Sequence, residues 1–106
     1  MWLFSQHGFF SAVQNYNNPH LIHVRSNFRG DLERLCFAHG IKPQVFVIKG
    51  SEYPFRMDFP RDIWGEVIKR EGVQINYSKF QASVQDGTKR DKAYSEIASV
   101  LHKYQD

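Results

Sequence analysis

Near residue 26 the spacing of apolar residues changes: before it they recur every second residue, and after it every three or four residues. Residues 21–26 alternate between apolar and polar side chains, as a half-buried strand does. Apolar residues then recur at helical spacing over residues 28–36. Ser26 or Asn27 offers an N-cap, and Gly40 ends the pattern. This part of the chain therefore predicts a strand that leads directly into a helix.

Similar short patterns lie on both sides of this unit. Residues 2–4 and 9–14 are rich in aromatic side chains and flank a turn-sized interruption that ends in Gly8, which predicts a hairpin or a bent strand. Residues 44–49 and 55–59 are rich in Val, Ile and Phe, and a loop-forming segment separates them, so they predict two antiparallel strands. A second helix is predicted to begin at Pro60 and to end at Gly72.

Weaker patterns follow residue 72. Residues 73–77 predict a short edge strand, and Ser78 with Gln81 has the spacing of a capping box that begins a brief helix. Thr88 and Asp91 repeat that spacing at the start of a terminal helix. The predicted apolar face of this helix consists of Ala93, Ile97, Val100, Leu101 and Tyr104.

The order of these elements predicts an α+β fold. It matches a ferredoxin-like split βαβ sandwich with an extra N-terminal strand or hairpin and with C-terminal helices. The alternative is an unrelated α+β sandwich in which the aromatic hairpin forms a layer of its own. Because the chain has 106 residues and contains neither linkers nor repeats, we expect a single domain over residues 1–106.

Charge, cysteine content and hydropathy limit the class of protein. Fourteen Lys and Arg against 11 Asp and Glu give a net charge of +3, which favours anionic partners only weakly. The single cysteine, Cys36, cannot form an intramolecular disulfide, and residues 1–8 lack the pattern of a secretory signal. We therefore expect a cytoplasmic protein. The longest apolar run, residues 45–48, is far shorter than the roughly 20 residues of a membrane-spanning helix, so we expect no membrane partner.

The sequence lacks the motifs that indicate common enzymes. It contains neither a Gly-rich phosphate-binding loop nor a Gly-x-Ser-x-Gly motif. His20 and His23 are three residues apart in a predicted strand, which directs their side chains to opposite faces, so we predict no metal site and no cofactor. Cys36 is expected to be a core residue. Asp58, His23 and Arg56 remain the combination that would support a small hydrolase site.

The polar face of the predicted sheet carries the candidate binding residues. If the strands turn their apolar side chains inward, their polar side chains gather on the other surface. Arginine binds phosphate or carboxylate through its forked guanidinium group, and a helix N-terminus adds hydrogen-bond donors. The candidate binding residues are His23, Arg25, Arg29, Tyr53 and Arg56, with Lys49 as a further member.

Several short blocks resemble a bacterial protein family. The blocks are Met1-Trp2-Leu3-Phe4, Gly8-Phe9-Phe10-Ser11-Ala12-Val13, Glu52-Tyr53-Pro54-Phe55-Arg56, Ile75-Asn76-Tyr77-Ser78-Lys79-Phe80 and Ala93-Tyr94-Ser95-Glu96-Ile97. The chain resembles an uncharacterised family of roughly 100-residue proteins that begin Met-Trp, continue Gly-Phe-Phe-Ser and end in a Tyr-bearing helix. In that family an acidic residue stands where this chain has Asn76. The resemblance implies one intact family domain and no known activity, substrate or cofactor.

Two functions fit these features. Aromatic residues make up 15% of the chain, and Tyr, Trp and Arg are the residues that anchor protein interfaces. We therefore expect a non-enzymatic binding module that docks to a protein partner or to a second copy of itself. The alternative is that the basic sheet face binds nucleic acid, as open sheets of this class bind single-stranded RNA.

Overall fold

The computed structural model of the protein describes residues 1–76 and 87–106. These residues form an α+β fold with a five-stranded antiparallel sheet and three helices. The strands are β1 (Trp2–Ser5), β2 (Gly8–Gln14), β3 (Leu21–Ser26), β4 (Phe46–Val47) and β5 (Phe55–Pro60). The helices are α1 (Arg29–Ala38), α2 (Arg61–Val73) and α3 (Lys89–Lys103). In the part of the chain that the structure describes, no helix has the length and apolar character needed to cross a membrane.

The strands lie in the order β1-β2-β3-β5-β4, and each neighbouring pair is antiparallel. β1, β2 and β3 form a meander. β5 lies between β3 and β4, which therefore run parallel to each other, and α1 connects them. This connection is a split βαβ unit, and both sides of β3 are occupied, one by β2 and the other by β5.

The prediction of a strand at residues 73–77 is wrong for residues 73–76, the part of this segment that the structure describes. Val73 ends α2, and residues 74–76 do not belong to a strand. In a complete ferredoxin-like sheet the last strand pairs with the equivalent of β3, but here β2 and β5 take both of its sides. The structure therefore confirms the α+β class and does not confirm the complete ferredoxin-like arrangement. Tyr77 and the brief helix predicted from Ser78 lie outside the described residues.

The hairpin, β3 and β5 lie where the sequence predicts them, whereas β4 is shorter than predicted. Gly8 has a φ of 142° at the hairpin turn, a conformation that side chains disfavour. β4 covers only Phe46 and Val47 of the predicted segment 44–49. Ile48 N still donates to Pro54 O at 2.8 Å, but the chain turns at Gly50, where φ is 79°. The pairing with β5 therefore ends early.

The core lies between one face of the sheet and the helices α1 and α2. Its buried residues are Phe10, Ala12, Ile22, Val24, Leu32, Leu35, Cys36, Met57, Phe59, Trp64 and Val67. The Cys36 thiol is fully buried and donates to Met57 Sδ at 3.5 Å. Burial, with a smaller effect of the Glu33 carboxylate, raises the pKa of Cys36 to about 11. Cys36 is thus a core residue, as predicted.

Of the three predicted N-caps, the two that lie in the described residues have different outcomes. Thr88 accepts a hydrogen bond from Asp91 N at 3.3 Å, which confirms the predicted cap of α3. At α1 the N-cap residue is Phe28, whose side chain makes no capping hydrogen bond. Ser26 Oγ instead accepts from Phe28 N at 3.2 Å, so Ser26 orders the turn before the helix and does not cap it.

The predicted apolar face of α3 is confirmed only in part, since Ala93 and Ile97 are half-buried and the other three residues are exposed. The buried residues of α3 are Arg90 and Tyr94, one helical turn apart. Val100, Leu101 and Tyr104 are 49%, 68% and 82% exposed. The helix is therefore attached through its first two turns, by contacts that involve a charged and a phenolic side chain.

A buried carboxylate holds α3 in place. Asp31, in the first turn of α1, is fully buried and pairs with Arg34. Arg90 Nε donates to Asp31 Oδ1 at 2.6 Å, and the Tyr94 hydroxyl donates to Asp31 Oδ2. Burial and the Asp31 carboxylate raise the pKa of Tyr94 well above its usual range, so the hydroxyl keeps its proton. The centroid of the Tyr94 ring also lies 4.8 Å from the centroid of the Phe4 ring in β1.

Candidate functional site

One row of side chains crosses all five strands on one face of the sheet, with Trp2 and Phe46 exposed at its ends and Ser11 buried within it. The strand register pairs neighbouring members of the row at every step. From one edge to the other the row consists of Trp2, Ser11, Arg25, Arg56 and Phe46. Their neighbours in β2, β3 and β5 are core residues, so the row lies on the face opposite to α1 and α2. We call these five residues the arginine row.

The two edges of the arginine row present aromatic surface. Trp2 is 72% exposed and its ring lies edge-on to Phe9 with a centroid distance of 5.5 Å. Phe46 is 41% exposed and its ring centroid lies 5.7 Å from that of His23. Each ring is thus supported on one side by a neighbour and open to solvent elsewhere.

Tyr53 fixes the two guanidinium groups at the centre of the row. The Arg25 guanidinium lies over the Tyr53 ring at 4.9 Å from its centroid, and Arg25 Nη2 donates to Ser11 Oγ at 2.7 Å. Arg56 Nε donates to the Tyr53 carbonyl oxygen at 2.9 Å, and Arg56 Nη1 lies 3.4 Å from His23 Nε2. Tyr53 itself is buried. The arginines are therefore ordered before any ligand arrives.

This arrangement leaves positive charge that the described residues do not neutralise. Arg25 and Arg56 lie directly opposite each other on β3 and β5, and like charges in that position destabilise a sheet. Arg25 Nε is buried without a hydrogen-bond partner among the described residues. An unpaired buried donor costs about 1 to 3 kcal/mol. An anionic group beside Arg25 and Arg56 would offset the repulsion between the two guanidinium groups.

A second row of side chains lies beside the arginine row on the same face and contains His23 and Asp58. His23 Nδ1 lies 2.9 Å from Asp58 Oδ1, and Asn15 Nδ2 donates to the same oxygen at 2.9 Å. Two cavities of about 420 and 500 Å³ are lined by other residues. The structure thus brings His23, Arg56 and Asp58 together on one face of the sheet.

The structure brings four of the predicted binding residues into one group. They are His23, Arg25, Tyr53 and Arg56. Arg29 does not join them, because it begins α1 on the other side of the sheet, where its Nε lies 3.2 Å from Glu33 Oε1. Lys49 is exposed in the turn after β4. His23, Arg25 and Arg56 therefore share one face of the sheet, with the buried Tyr53 in contact with both arginines, and their binding role stays a prediction.

Sequence reasoning missed a second group, which lies at the other end of the hairpin. His7 Nδ1 is 2.6 Å from Glu71 Oε1, and His39 Nε2 is 3.2 Å from Glu71 Oε2. The side chains of His39 and Glu71 are each 3% exposed, and that of His7 is 17% exposed. Burial alone would raise the pKa of Glu71, but the hydrogen bonds from His7 and Ser5 hold it below its usual value.

We find no match between this chain and any protein-family model, curated protein or solved structure. The membership suggested by the short sequence blocks therefore stays a prediction. The function has to be argued from the geometry of the two groups. The arginine row can bind an anion that also offers apolar or aromatic surface, and the His7–Glu71 group can bind a cation or hold a proton.

One signal for the second group was present in the sequence. Glu71 follows Trp64 by seven residues and Val67 by four, so it continues the buried stripe of α2. A carboxylate at such a position needs a partner in the interior. The identity of that partner has no local signature, because His7 and His39 are 64 and 32 residues away in the chain.

Proposed function

We propose that this protein is a non-enzymatic binding domain that binds single-stranded nucleic acid on the arginine row. The observation that carries the proposal is the order of the row, with two guanidinium groups at its centre and an exposed aromatic ring at each edge. Guanidinium groups bind backbone phosphates, and aromatic rings stack on bases. A strand that lies across the sheet would therefore meet both kinds of contact.

The size of the row suits a short single strand. Neighbouring strands lie about 4.8 Å apart, so the row spans roughly 19 Å from Trp2 to Phe46. A few extended nucleotides cover that distance. A duplex fits less well, because the row is one residue wide and stacking on Trp2 or Phe46 needs an unpaired base.

The fold and the expected compartment agree with this proposal. The β3-α1-β4 unit with β5 between its strands supports a ferredoxin-like core, in which helices cover one face of the sheet and leave the other open. The lone buried Cys36 supports a reducing cytoplasm. We include both in the proposal.

The direct test is the affinity for a fluorescein-labelled oligouridine, measured by fluorescence anisotropy at several salt concentrations. We expect Arg56→Gln to weaken binding at least about 10-fold at low salt, because it removes a phosphate-binding cation from a cooperative row. The slope of log K against log salt should fall by about 0.7 for each phosphate that the variant no longer neutralises. Phe46→Ser should weaken binding with little change in that slope.

Matched variants separate the row from bulk charge and from general hydrophobicity. Arg29→Gln removes the same charge from an arginine outside the row, and Phe37→Ser removes a phenylalanine that is 90% exposed on α1. Both should leave the affinity unchanged within about twofold. Absence of binding by the wild type, or equal weakening by Arg29→Gln and Arg56→Gln, would contradict the proposal.

A second function, self-association through β4, is favoured by a separate observation. Phe46 and Val47 form an edge strand that pairs only with β5 among the described strands, and Ile48 follows it directly. These three residues are 41%, 45% and 44% exposed. An unpaired strand edge accepts another strand, and two copies of β4 can pair symmetrically about a twofold axis. The occupant in this second proposal is therefore another copy of the chain.

Sedimentation velocity over a range of protein concentrations tests this second function. We expect a reversible dimer that Val47→Lys abolishes, because a charge at a paired edge opposes strand addition. Ile63→Lys alters a residue of similar exposure, 39%, on α2 and should leave the dimer intact. A wild-type protein that sediments as a monomer at every concentration rules self-association out.

A further inference from the structure

Three side chains outside the arginine row converge from three separate parts of the chain. His7 lies in the β1–β2 turn, His39 follows α1 as its C-cap, and Glu71 lies in the last turn of α2. One nitrogen from each histidine and one carboxylate oxygen lie within 4.8 Å of one another. The fold therefore assembles two imidazoles and a carboxylate around a common point.

The distances are close to those of a tetrahedral metal site. Zinc binds histidine nitrogen and carboxylate oxygen at about 2.0 to 2.2 Å, which places neighbouring ligand atoms roughly 3.3 Å apart. The observed separations from Glu71 oxygens are 2.6 Å to His7 Nδ1 and 3.2 Å to His39 Nε2. Three ligand atoms, one from each residue, lie within 4.8 Å of one another, so movements of up to about 1.5 Å would bring them to bonding distance of one ion.

The surroundings hold the carboxylate in position. Ser5 Oγ donates to Glu71 Oε1 at 2.7 Å and accepts from His7 N at 3.1 Å. Ser5 thus ties the carboxylate to the turn that carries His7. Hydrogen bonds of this kind orient metal ligands and support their affinity.

The group is also accessible to a small ion. The His7 side chain is 17% exposed and lines a cavity of about 500 Å³. Glu71 and Ser5 line a second cavity of about 420 Å³. An ion and a water molecule can therefore reach the carboxylate, although His39 and Glu71 are each 3% exposed.

We propose that His7 Nδ1, His39 Nε2 and the Glu71 carboxylate bind one Zn²⁺ ion, with a water molecule as the fourth ligand. Imidazole and carboxylate suit Zn²⁺, whereas Mg²⁺ and Ca²⁺ prefer oxygen ligands alone. The ion takes the place of the protons that now link the two histidines to Glu71. Each imidazole then carries its proton on the other ring nitrogen.

The alternative is a hydrogen-bonded group that binds no metal. In that case the histidines serve only to satisfy the buried carboxylate of Glu71, which would otherwise carry a desolvation cost. Such a group has no preference for zinc over any other divalent ion and no fixed stoichiometry. The two interpretations therefore differ in the selectivity and the stoichiometry of zinc binding, both of which can be measured.

The test is the Zn²⁺ affinity of the purified chain, measured by competition with a chromogenic chelator. We expect one equivalent of zinc per chain and no displacement by excess Mg²⁺. His7→Gln and Glu71→Gln should weaken binding by more than the roughly 10- to 100-fold that loss of an outer-shell partner costs. With Co²⁺ in place of zinc, the wild type should show the visible absorption bands of a tetrahedral site.

His20→Gln is the matched control, because His20 is an exposed histidine outside the group. It should bind zinc as the wild type does. His7→Gln decides the question if Glu71→Gln does not fold, since His7 lies in a turn and is the most exposed of the three, and circular dichroism verifies its fold. Failure of the wild type to bind zinc, or equal binding by folded His7→Gln, would overturn the proposal.

Discussion

At the scale of single residues, Gly8 and Asp31 show how closely the hairpin meets α1. Gly8 has a φ of 142°, and a Cβ atom at this position would overlap the Asp31 carboxylate. Asp31 cannot withdraw, because it is fully buried and accepts a hydrogen bond from Phe9 N at 3.2 Å. Because Gly8 has no side chain, β2 can lie close enough to α1 for Phe9 N to donate to the buried Asp31 carboxylate.

The first residue-scale prediction concerns Gly8→Ala. We expect a loss of unfolding free energy on the order of 3 kcal/mol, because the variant combines a disfavoured φ with an overlap in the interior. Gly65→Ala is the control, since Gly65 lies in α2 with no atom within 4 Å of an added Cβ. It should stabilise the protein by about 0.5 to 1 kcal/mol. Urea unfolding of both variants measures the difference, and equal effects would contradict this account.

The sequence predicts the role of Gly8 in this contact but not that of Asp31. A glycine at the end of a turn-sized interruption predicts Gly8 and its positive φ. Asp31 reads as an ordinary acidic residue in the first turn of a helix. Its partners Phe9 and Tyr94 are 22 and 63 residues away, so no local pattern marks it as buried.

At the scale of elements, α3 depends on a polar attachment. Tyr94 both donates to Asp31 Oδ2 and accepts from Phe9 N at 3.2 Å, so its hydroxyl links α3, α1 and β2. Arg90 Nε adds a bond of 2.6 Å to Asp31. Further along α3, Val100 and Leu101 are 49% and 68% exposed.

The element-scale prediction is that Tyr94→Phe loosens α3 selectively. Loss of a hydrogen bond to a buried carboxylate should cost about 1.5 to 3 kcal/mol. Amide hydrogen exchange should rise in α3 more than in β3 or β5. Tyr104→Phe removes a hydroxyl from a residue that is 82% exposed and should change stability by less than about 0.5 kcal/mol. Unchanged exchange in α3 of Tyr94→Phe would show that other contacts hold the helix.

Apolar spacing predicted the existence of the helices better than their packed faces. α1 and α2 have apolar stripes that meet one side of the sheet, so their spacing and their burial agree. α3 has an apolar stripe as well, but a buried Asp31 determines which side of it packs. Strand pairing is equally hard to predict from local patterns: Phe46 and Val47 pair with β5, whereas residues 74–76 belong to no strand.

At the scale of the whole molecule, strand order brings residues from five separate segments into one row on a single face of the sheet. The alternation in β3 and β5 was sufficient to place His23, Arg25 and Arg56 on a common face. It could not show that Trp2 and Phe46 end the same row, since that depends on β1 and β4 forming the two edges. The aromatic ends of the row therefore became visible only in the folded chain.

The same reasoning applies to the His7, His39 and Glu71 group. Its members come from a turn, a helix end and a second helix, and the sheet and helices bring them together. Sequence spacing reveals metal ligands only when they lie on one local element. A site assembled from three elements has no such signature.

The most direct measurement of the central claim is a titration of ¹⁵N-labelled protein with oligouridine, followed by amide chemical shifts. The arginine row as the binding surface predicts the largest shifts at Ser11, Arg25, Phe46 and Arg56, with small shifts in α2. Shifts concentrated in α2, or a spectrum that does not change at low salt, would contradict it.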